Sequence, residues 1–351
     1  MFDDQRERGG AAVRGWLRRR SQSAAVRARQ PPRLVVNEAG PSPTIYYLAP
    51  DRAVASGGVR MEYRHVDLLN EMGIDAAILH SRPGFRCTWF ANETRVVSPD
   101  TIRLRVNDVL VIPEIYGIGL ARLPREIRKL VFNQGAYITF DLLDLATTSP
   151  GAPYVGVPNL TGIMAVSQDS EDLLRFAFPG IPVTRCRPVV DADIFHPSIG
   201  PRQRAFAYVP SRRPDELNQV LHLLRASGVD WDFVPISGLT ERQVAETLRR
   251  CAAFISLSER DGFGLPPAEA MACGCYVVGY HGGGGREFFD PDYCAPVSTT
   301  LELATSLVDV TTRSLGELAA LGARASEQIL SRYSCEGLRD DLRLTFGPIV
   351  G

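Results

Sequence analysis

Short, unbroken apolar runs alternate with amphipathic stretches along most of the chain. Ile45–Ala49, Asp75–Leu79, Val109–Ile112 and Ile163–Ser167 are four such runs. They are too short for helices and nearly free of polar positions, which predicts strands covered on both faces. After the first run comes a turn at Ser56-Gly57-Gly58. Val59, Tyr63, Val66, Leu69 and Met72 then fall on one face of a predicted helix that Gly73 stops. A second series starts near Arg204. It has a strand at Ala205–Val209, a helix over Pro214–Ser227 opened by Pro and closed by Gly228, and a strand at Trp231–Pro235. A helix over Thr240–Cys251 capped by Thr240, a strand at Ala253–Leu257, a helix from Pro266 and a strand at Cys275–Val278 follow. Strand–helix alternation predicts a parallel sheet with helices on both faces. Two series predict two Rossmann-like, doubly wound parallel-sheet domains.

A chain of 351 residues suits two domains of ordinary size. The predicted boundaries are a mobile basic tail over 1–43, a first domain over 44–187, a Pro-rich linker over 188–202, a second domain over 203–333 and a C-terminal helix over 334–351 that packs back on the first domain. The formal charge of −1 hides an asymmetry: residues 1–33 carry nine arginines against three acids. The overall balance predicts no general affinity for nucleic acid. The tail reads first as a solvated segment. Its Trp16-Leu17-Arg18-Arg19-Arg20 also suits a weak peripheral contact with an anionic membrane surface. No 18-residue apolar run is present, so no membrane-spanning helix is expected, and the predicted location is the cytoplasm, including the inner face of the membrane. Seven scattered cysteines with one close pair, Cys273 and Cys275, read as free buried thiols and not as a zinc site.

The segment richest in chemistry is Ser256–Gly274. It reads as strand, glycine loop, helix start. Gly262 and Gly264 allow close backbone approach by a ligand. Pro266 and Pro267 fit a first helical turn, and a helix N-terminus favours a phosphate. Asp261 and Glu269, eight positions apart, place a carboxylate on each side of that anion site, where each accepts hydrogen bonds from hydroxyls. A sugar nucleotide has hydroxyls on its hexose and its ribose, with a diphosphate between them.

Asp261-Gly-Phe-Gly-Leu-Pro-Pro-Ala-Glu269-Ala-Met-Ala-Cys-Gly-Cys-Tyr-Val-Val278 resembles the E-x7-E region of retaining glycosyltransferases of family 4, with Asp in place of the first Glu. The resemblance implies the GT-B fold, two Rossmann-like domains with a cleft between them. It also implies transfer of a sugar from a nucleotide-diphosphate donor to the hydroxyl of a glycan or small molecule, without a metal or other cofactor. The acceptor would bind the first domain and the donor the second. Val190-Asp191-Ala-Asp-Ile-Phe195-His-Pro197 resembles the stretch that opens the second domain in that family. By the same resemblance, Asp261 faces the donor hexose, Glu269 the ribose, and Arg212 and Arg213 grip the diphosphate. Gly262, Phe263, Gly264 and Leu265 line the donor, and Gly57 and Gly58 approach it from the first domain. Weaker candidates are Gly284 and Glu287 in the glycine-rich loop after the next strand, and Asn133 or Gln134 at a strand end where the family often carries a His.

The residues offer three other readings. Asp191-Ala-Asp193 has the spelling of a metal-binding D-x-D, but the donor segment lies downstream of it, where that site's order of halves would not put it. A dehydrogenase requires G-x-G-x-x-G after an early strand, and Ser56–Met61 does not supply it. A sugar-nucleotide-binding protein without catalysis stands as the alternative, favoured by Asp261 and the missing His. Bacterial polysaccharide or secondary-metabolite glycosylation is the expected setting.

Overall fold

The computed structural model describes Val26, residues 29–198 and residues 200–350. The Trp16–Arg20 cluster lies outside the described residues. In chain order the strands of the first half are β1 (Val36–Asn37), β2 (Ile45–Ala49), β3 (Ala76–His80), β4 (Val96–Val97), β5 (Leu104–Arg105), β6 (Val109–Pro113), β7 (Arg128–Asn133), β8 (Leu160–Ala165) and β9 (Val183–Arg185). Its helices are α1 (Gly57–Glu71) and α2 (Gln168–Ala177). The second half has β10 (Gln203–Tyr208), α3 (Pro214–Ala226), β11 (Asp232–Pro235), α4 (Glu241–Arg250), β12 (Cys251–Asp261), α5 (Leu265–Ala272), β13 (Tyr276–Gly283) and β14 (Ala295–Pro296). It ends in α6 (Thr300–Thr312), α7 (Leu315–Arg332) and α8 (Cys335–Val350).

Seven parallel strands in the order β4-β3-β2-β6-β7-β8-β9 form one sheet, and five in the order β11-β10-β12-β13-β14 form the other. Strands β2, β3 and β6 are buried along their whole length, as apolar runs covered on both faces must be. In each sheet the strand order reverses beside the first strand, and the carboxyl ends of the strands there face the other half. That is where an open α/β sheet leaves a crevice for ligands. The architecture is α/β with two doubly wound parallel sheets.

Three expectations are corrected. Residues 29–43 are not part of a mobile tail: Pro31 is buried, and Val36–Asn37 pairs with Leu104–Arg105. Asp261 does not lie in a loop, because β12 continues through polar Ser258, Glu259 and Arg260 to reach it. The four-glycine stretch is not a mobile loop. Gly282 and Gly283 belong to β13, and Gly284 and Gly285 are buried in a 3₁₀ turn.

Several ties join the halves. Glu287, after β13, accepts the Gln168 N–H at 2.8 Å, Arg185 at 2.9 Å and the Tyr333 hydroxyl at 2.7 Å. Arg64 on α1 pairs with Asp191, whose carbonyl also receives the Phe195 N–H at 2.7 Å. Helix α8 returns to the first half, where Asp341 binds Arg187 and Phe346 packs on Tyr47. One hydrophobic cluster runs through both halves, from Ile45 to Phe346.

Candidate functional site

A cavity of about 630 Å³ lies between the carboxyl ends of the two sheets. Gly57, Gly58 and Gln134 line it from the first half, and Arg212, Asp261–Leu265 and Glu269 from the second. The walls approach so closely that side chains are excluded. A Cβ on Gly262 would lie 1.9 Å from the Gln134 carbonyl oxygen, and one on Gly57 would lie 2.7 Å from Leu265 Cδ1. Gly264 is needed for its backbone instead: φ of +97° there begins α5.

Helices α1 and α5 both start at this cavity. Neither N-terminus has a side-chain cap or an acidic residue in its first turn. Helices α2, α4, α6 and α7 differ on both counts: a Ser or Thr caps each one, and each has an acid in its first turn. Unshielded N-termini carry partial positive charge and free N–H groups, an arrangement for an anion. In α5 the Pro266 and Pro267 rings remove two of those N–H groups, so α5 contributes mainly through its dipole, whereas the Gly57-Gly58-Val59 backbone of α1 keeps its donors.

Two arginines flank the helix ends. Arg212 Nη2 lies 3.1 Å from Asp261 Oδ1. Burial raises the Asp261 pKa above the ordinary carboxylate range, and Arg212 pulls it back. Arg60, in the first turns of α1, reaches across to Glu269 at 2.6 Å and pairs with Glu241 as well. Glu269 is 9 % exposed, so this contact sits in a partly dehydrated place. Sequence reasoning missed Arg60. Its two partners lie 181 and 209 residues away, and the only local signal is a cation just after a glycine pair.

Other candidate residues fall elsewhere. Arg213 has φ of +40° and caps α3; its guanidinium pairs with Glu216 at 3.0 Å and lies 4.1 Å from the Tyr280 ring centroid, so it is held off the cavity. Asn133 is fully buried on Thr139 and Tyr154 and is a core residue. Gln134 remains at the site, with Nε2 donating to the Gly58 carbonyl at 3.0 Å. Gly284 supports the site from behind: its Cβ would lie 2.0 Å from the Gly262 carbonyl oxygen. Glu287 is spent on the ties described above. His65 and His80 are buried against Tyr47 and Tyr63, and His65 is held near a pKa of about 3 by that burial. All seven cysteines are free, six of them buried. Among the described residues no three His, Cys, Asp or Glu side chains gather as a metal site, and no helix is long and apolar enough to cross a membrane.

The fold is shared with solved structures. Sucrose-phosphate synthase from Thermosynechococcus elongatus superposes with a TM-score of 0.66 at 12% identity, over 88% of this chain and 99% of that one. Anabaena HepE in complex with UDP and glucose gives 0.62 at 13% identity, over 87% of this chain and 99% of that one. Residues 219–302, which hold the Asp261–Glu269 segment, match the family described as glycosyl transferases group 1. An alpha-1,6-glucosyltransferase of Actinobacillus pleuropneumoniae serotype 7 (strain AP76) is 26% identical over 251 residues, 65% of this chain and 69% of the relative.

The chain is a GT-B glycosyltransferase. For the glycosyltransferase, the placement of the family match is informative. It runs from within α3 to the start of α6 and thus contains Asp261–Leu265 and Glu269, whereas Gly57, Gly58, Arg60, Gln134 and Arg212 lie outside it.

Proposed function

We propose that this glycosyltransferase binds a nucleoside diphosphate sugar in the cavity between its halves and transfers the sugar, with retention, to an acceptor hydroxyl. The observation that carries the reading is the opposition of two uncapped, acid-free helix N-termini at one cavity with Arg60 and Arg212 beside them. A diphosphate carries about two negative charges and suits that field. Glu269 faces the ribose hydroxyls and Asp261 the hexose, in the manner of an E-x7-E site with a shortened first acid. Asp261 reaches one methylene less than Glu would, and its pairing with Arg212 draws it toward the phosphate side.

The reaction is a front-face displacement. The acceptor oxygen forms its bond to the sugar C1 as the C1–O bond to the phosphate breaks. The electron pair leaves on the nucleoside diphosphate, and the leaving oxygen takes the acceptor's proton. The protein's part is to orient the two substrates and to stabilise charge on the leaving group through fixed dipoles and guanidinium groups. No metal is required in this scheme. The alpha-1,6-glucosyltransferase relative makes a glucosyl donor the first to test. The experiment is nucleotide release from UDP-, GDP-, dTDP- and ADP-glucose by the wild type and by Glu269→Ala. Release by the wild type that falls about 100-fold in the variant is expected. Equal release by both removes Glu269 from the site.

A further inference from the structure

The first-half wall of the same cavity contains two carboxyl groups that the donor scheme leaves unused. Glu62 lies on α1, one and a half turns in from the helix start, and Glu114 follows directly on β6. Glu62 is 2 % exposed and its Oε2 has no hydrogen-bond partner. Glu114 is 7 % exposed, and its Oε2 accepts the Gln134 N–H at 3.0 Å. Among the described residues neither forms an ion pair. A buried carboxyl oxygen without a partner is destabilising, a cost that a leucine or methionine at that helix position would not carry. The position is therefore one where a polar ligand is needed to complete the hydrogen bonding.

We propose that Glu62 and Glu114 form the acceptor subsite of the transfer, binding vicinal hydroxyls of a neutral sugar or polyol and holding one of them toward the donor. The inference rests on the donor reading above. The chemistry follows from the pair. A protonated carboxyl donates to one hydroxyl oxygen while an ionised one accepts from the next, so together they match the donor–acceptor pattern of a diol. An anionic acceptor, such as a sugar phosphate, is disfavoured beside two carboxyls. Placement agrees, because Glu62 and Gly57-Gly58 belong to one helix and Gln134 connects Glu114 to Gly58 through hydrogen bonds to both. The acceptor would then sit next to the end of α1 at which the donor diphosphate lies. Trp89, in the same wall, offers a flat apolar face for a sugar ring.

The charges facing the pair are few. Burial and then Glu114 push Glu62 well above the usual carboxylate range, with Arg52 opposing. Burial pushes Glu114 to about 7, against the Gln134 N–H, Arg29 and Arg52. The tyrosines Tyr47, Tyr116 and Tyr154, around the pair, stay protonated. Glu62 is thus the proton donor and Glu114 the group that ionises near neutrality, so acceptor binding strengthens as pH rises through about 7.

The test uses the full chain and the variants Glu62→Gln, Glu114→Gln and Glu62→Asp, each checked for its fold by circular dichroism and Tm. Calorimetry with UDP, GDP, dTDP and ADP reports the donor half alone. Nucleotide release from the matching glucosyl donor is then followed with water as the sole acceptor and with methyl α-D-glucopyranoside, glycerol or D-glucose 6-phosphate added. The expected result is wild-type nucleotide affinity in all three variants, with release to water and to the neutral acceptors reduced about tenfold or more. Glucose 6-phosphate accelerates release less than the methyl glucoside does. The rise of wild-type release between about pH 6 and pH 8 is flattened in Glu114→Gln. Wild-type release and an unchanged pH profile in both Gln variants, with nucleotide affinity intact, overturn the subsite and leave the donor reading standing. A wild type that binds none of the four nucleotides overturns the donor reading and the subsite with it.

Discussion

Gly262→Ala is a small change with a large expected effect. Gly262 does not occupy the left-handed region, so alanine adds no backbone strain of that kind, and the perturbation is one methyl group. That methyl would lie 1.9 Å from the Gln134 carbonyl oxygen and 2.6 Å from its carbon. Ordinary contact begins near 3.4 Å, so the two loops must separate by about 1.5 Å. Neither loop yields freely. Gln134 is fixed by its N–H to Glu114 and its side chain to Gly58, and the Gly262 carbonyl accepts the Ser170 hydroxyl at 3.2 Å. The displacement opens the cleft between the groups proposed to hold donor and acceptor, while Arg212, Asp261 and Glu269 keep their common half. Misplacement by about 1 Å costs on the order of 100-fold in rate. Nucleotide affinity by calorimetry is therefore expected to stay within about threefold of wild type while nucleotide release falls about 100-fold, with a stability loss of about 1–3 kcal/mol from the forced repacking. Wild-type release together with a wild-type Tm would refute the reasoning, because it would mean that this contact does not set the geometry of the cleft.

The remaining predictions concern charge. Arg212→Ala should weaken nucleoside diphosphate binding about tenfold to 100-fold by calorimetry, as removal of a charge-assisted contact does, while Arg213→Ala leaves the affinity near wild type because that side chain is turned onto Glu216 and Tyr280. Glu287→Ala should lower Tm, since three donors from two elements of the first half and from Tyr333 lose a common partner; an unchanged Tm would show that these ties add nothing to stability. Glu114 has its folded pKa raised from 4.5 to about 7, so the folded chain holds a proton there that the unfolded chain has lost. The stability linked to that proton is fully present below about 4.5 and is lost as pH rises through about 7, by about 3 kcal/mol, so Glu114→Gln should be more stable than wild type at about pH 8 and lack that part of the pH dependence. EDTA should leave nucleotide release intact; complete loss restored by a divalent cation would overturn the metal-free scheme.

The parallel-sheet architecture was legible because its strands are continuous apolar runs, and Ile45–Ala49 and Val109–Ile112 stand out without any alignment. Strand ends were less legible. β12 runs on through Ser258-Glu259-Arg260 because β13 pairs with it beyond the apolar core, and long-range pairing leaves no mark in local hydropathy. Most of the second-half polar lining belongs to one segment, so Asp261–Leu265 and Glu269 stand together in the sequence, whereas Arg212 comes from the turn after β10. The opposite wall is assembled from separate pieces. Arg60 looks like a surface cation on an amphipathic helix until its partners arrive from the other half. Glu62 looks like part of the polar face, although the helix is covered on more sides than one apolar stripe implies. Arg212 and Arg213 are adjacent and chemically alike in the sequence; the left-handed backbone of Arg213 separates them by turning one guanidinium away.

The donor diphosphate is proposed to lie between the starts of α1 and α5. Calorimetric titration of the wild type with UDP and UMP, and with the GDP, dTDP and ADP pairs, tests this most directly. One diphosphate is expected to bind at least about tenfold more tightly than its monophosphate, because the second phosphate is the group that meets the helix ends and Arg212. Equal affinity for the two members of every pair would contradict it.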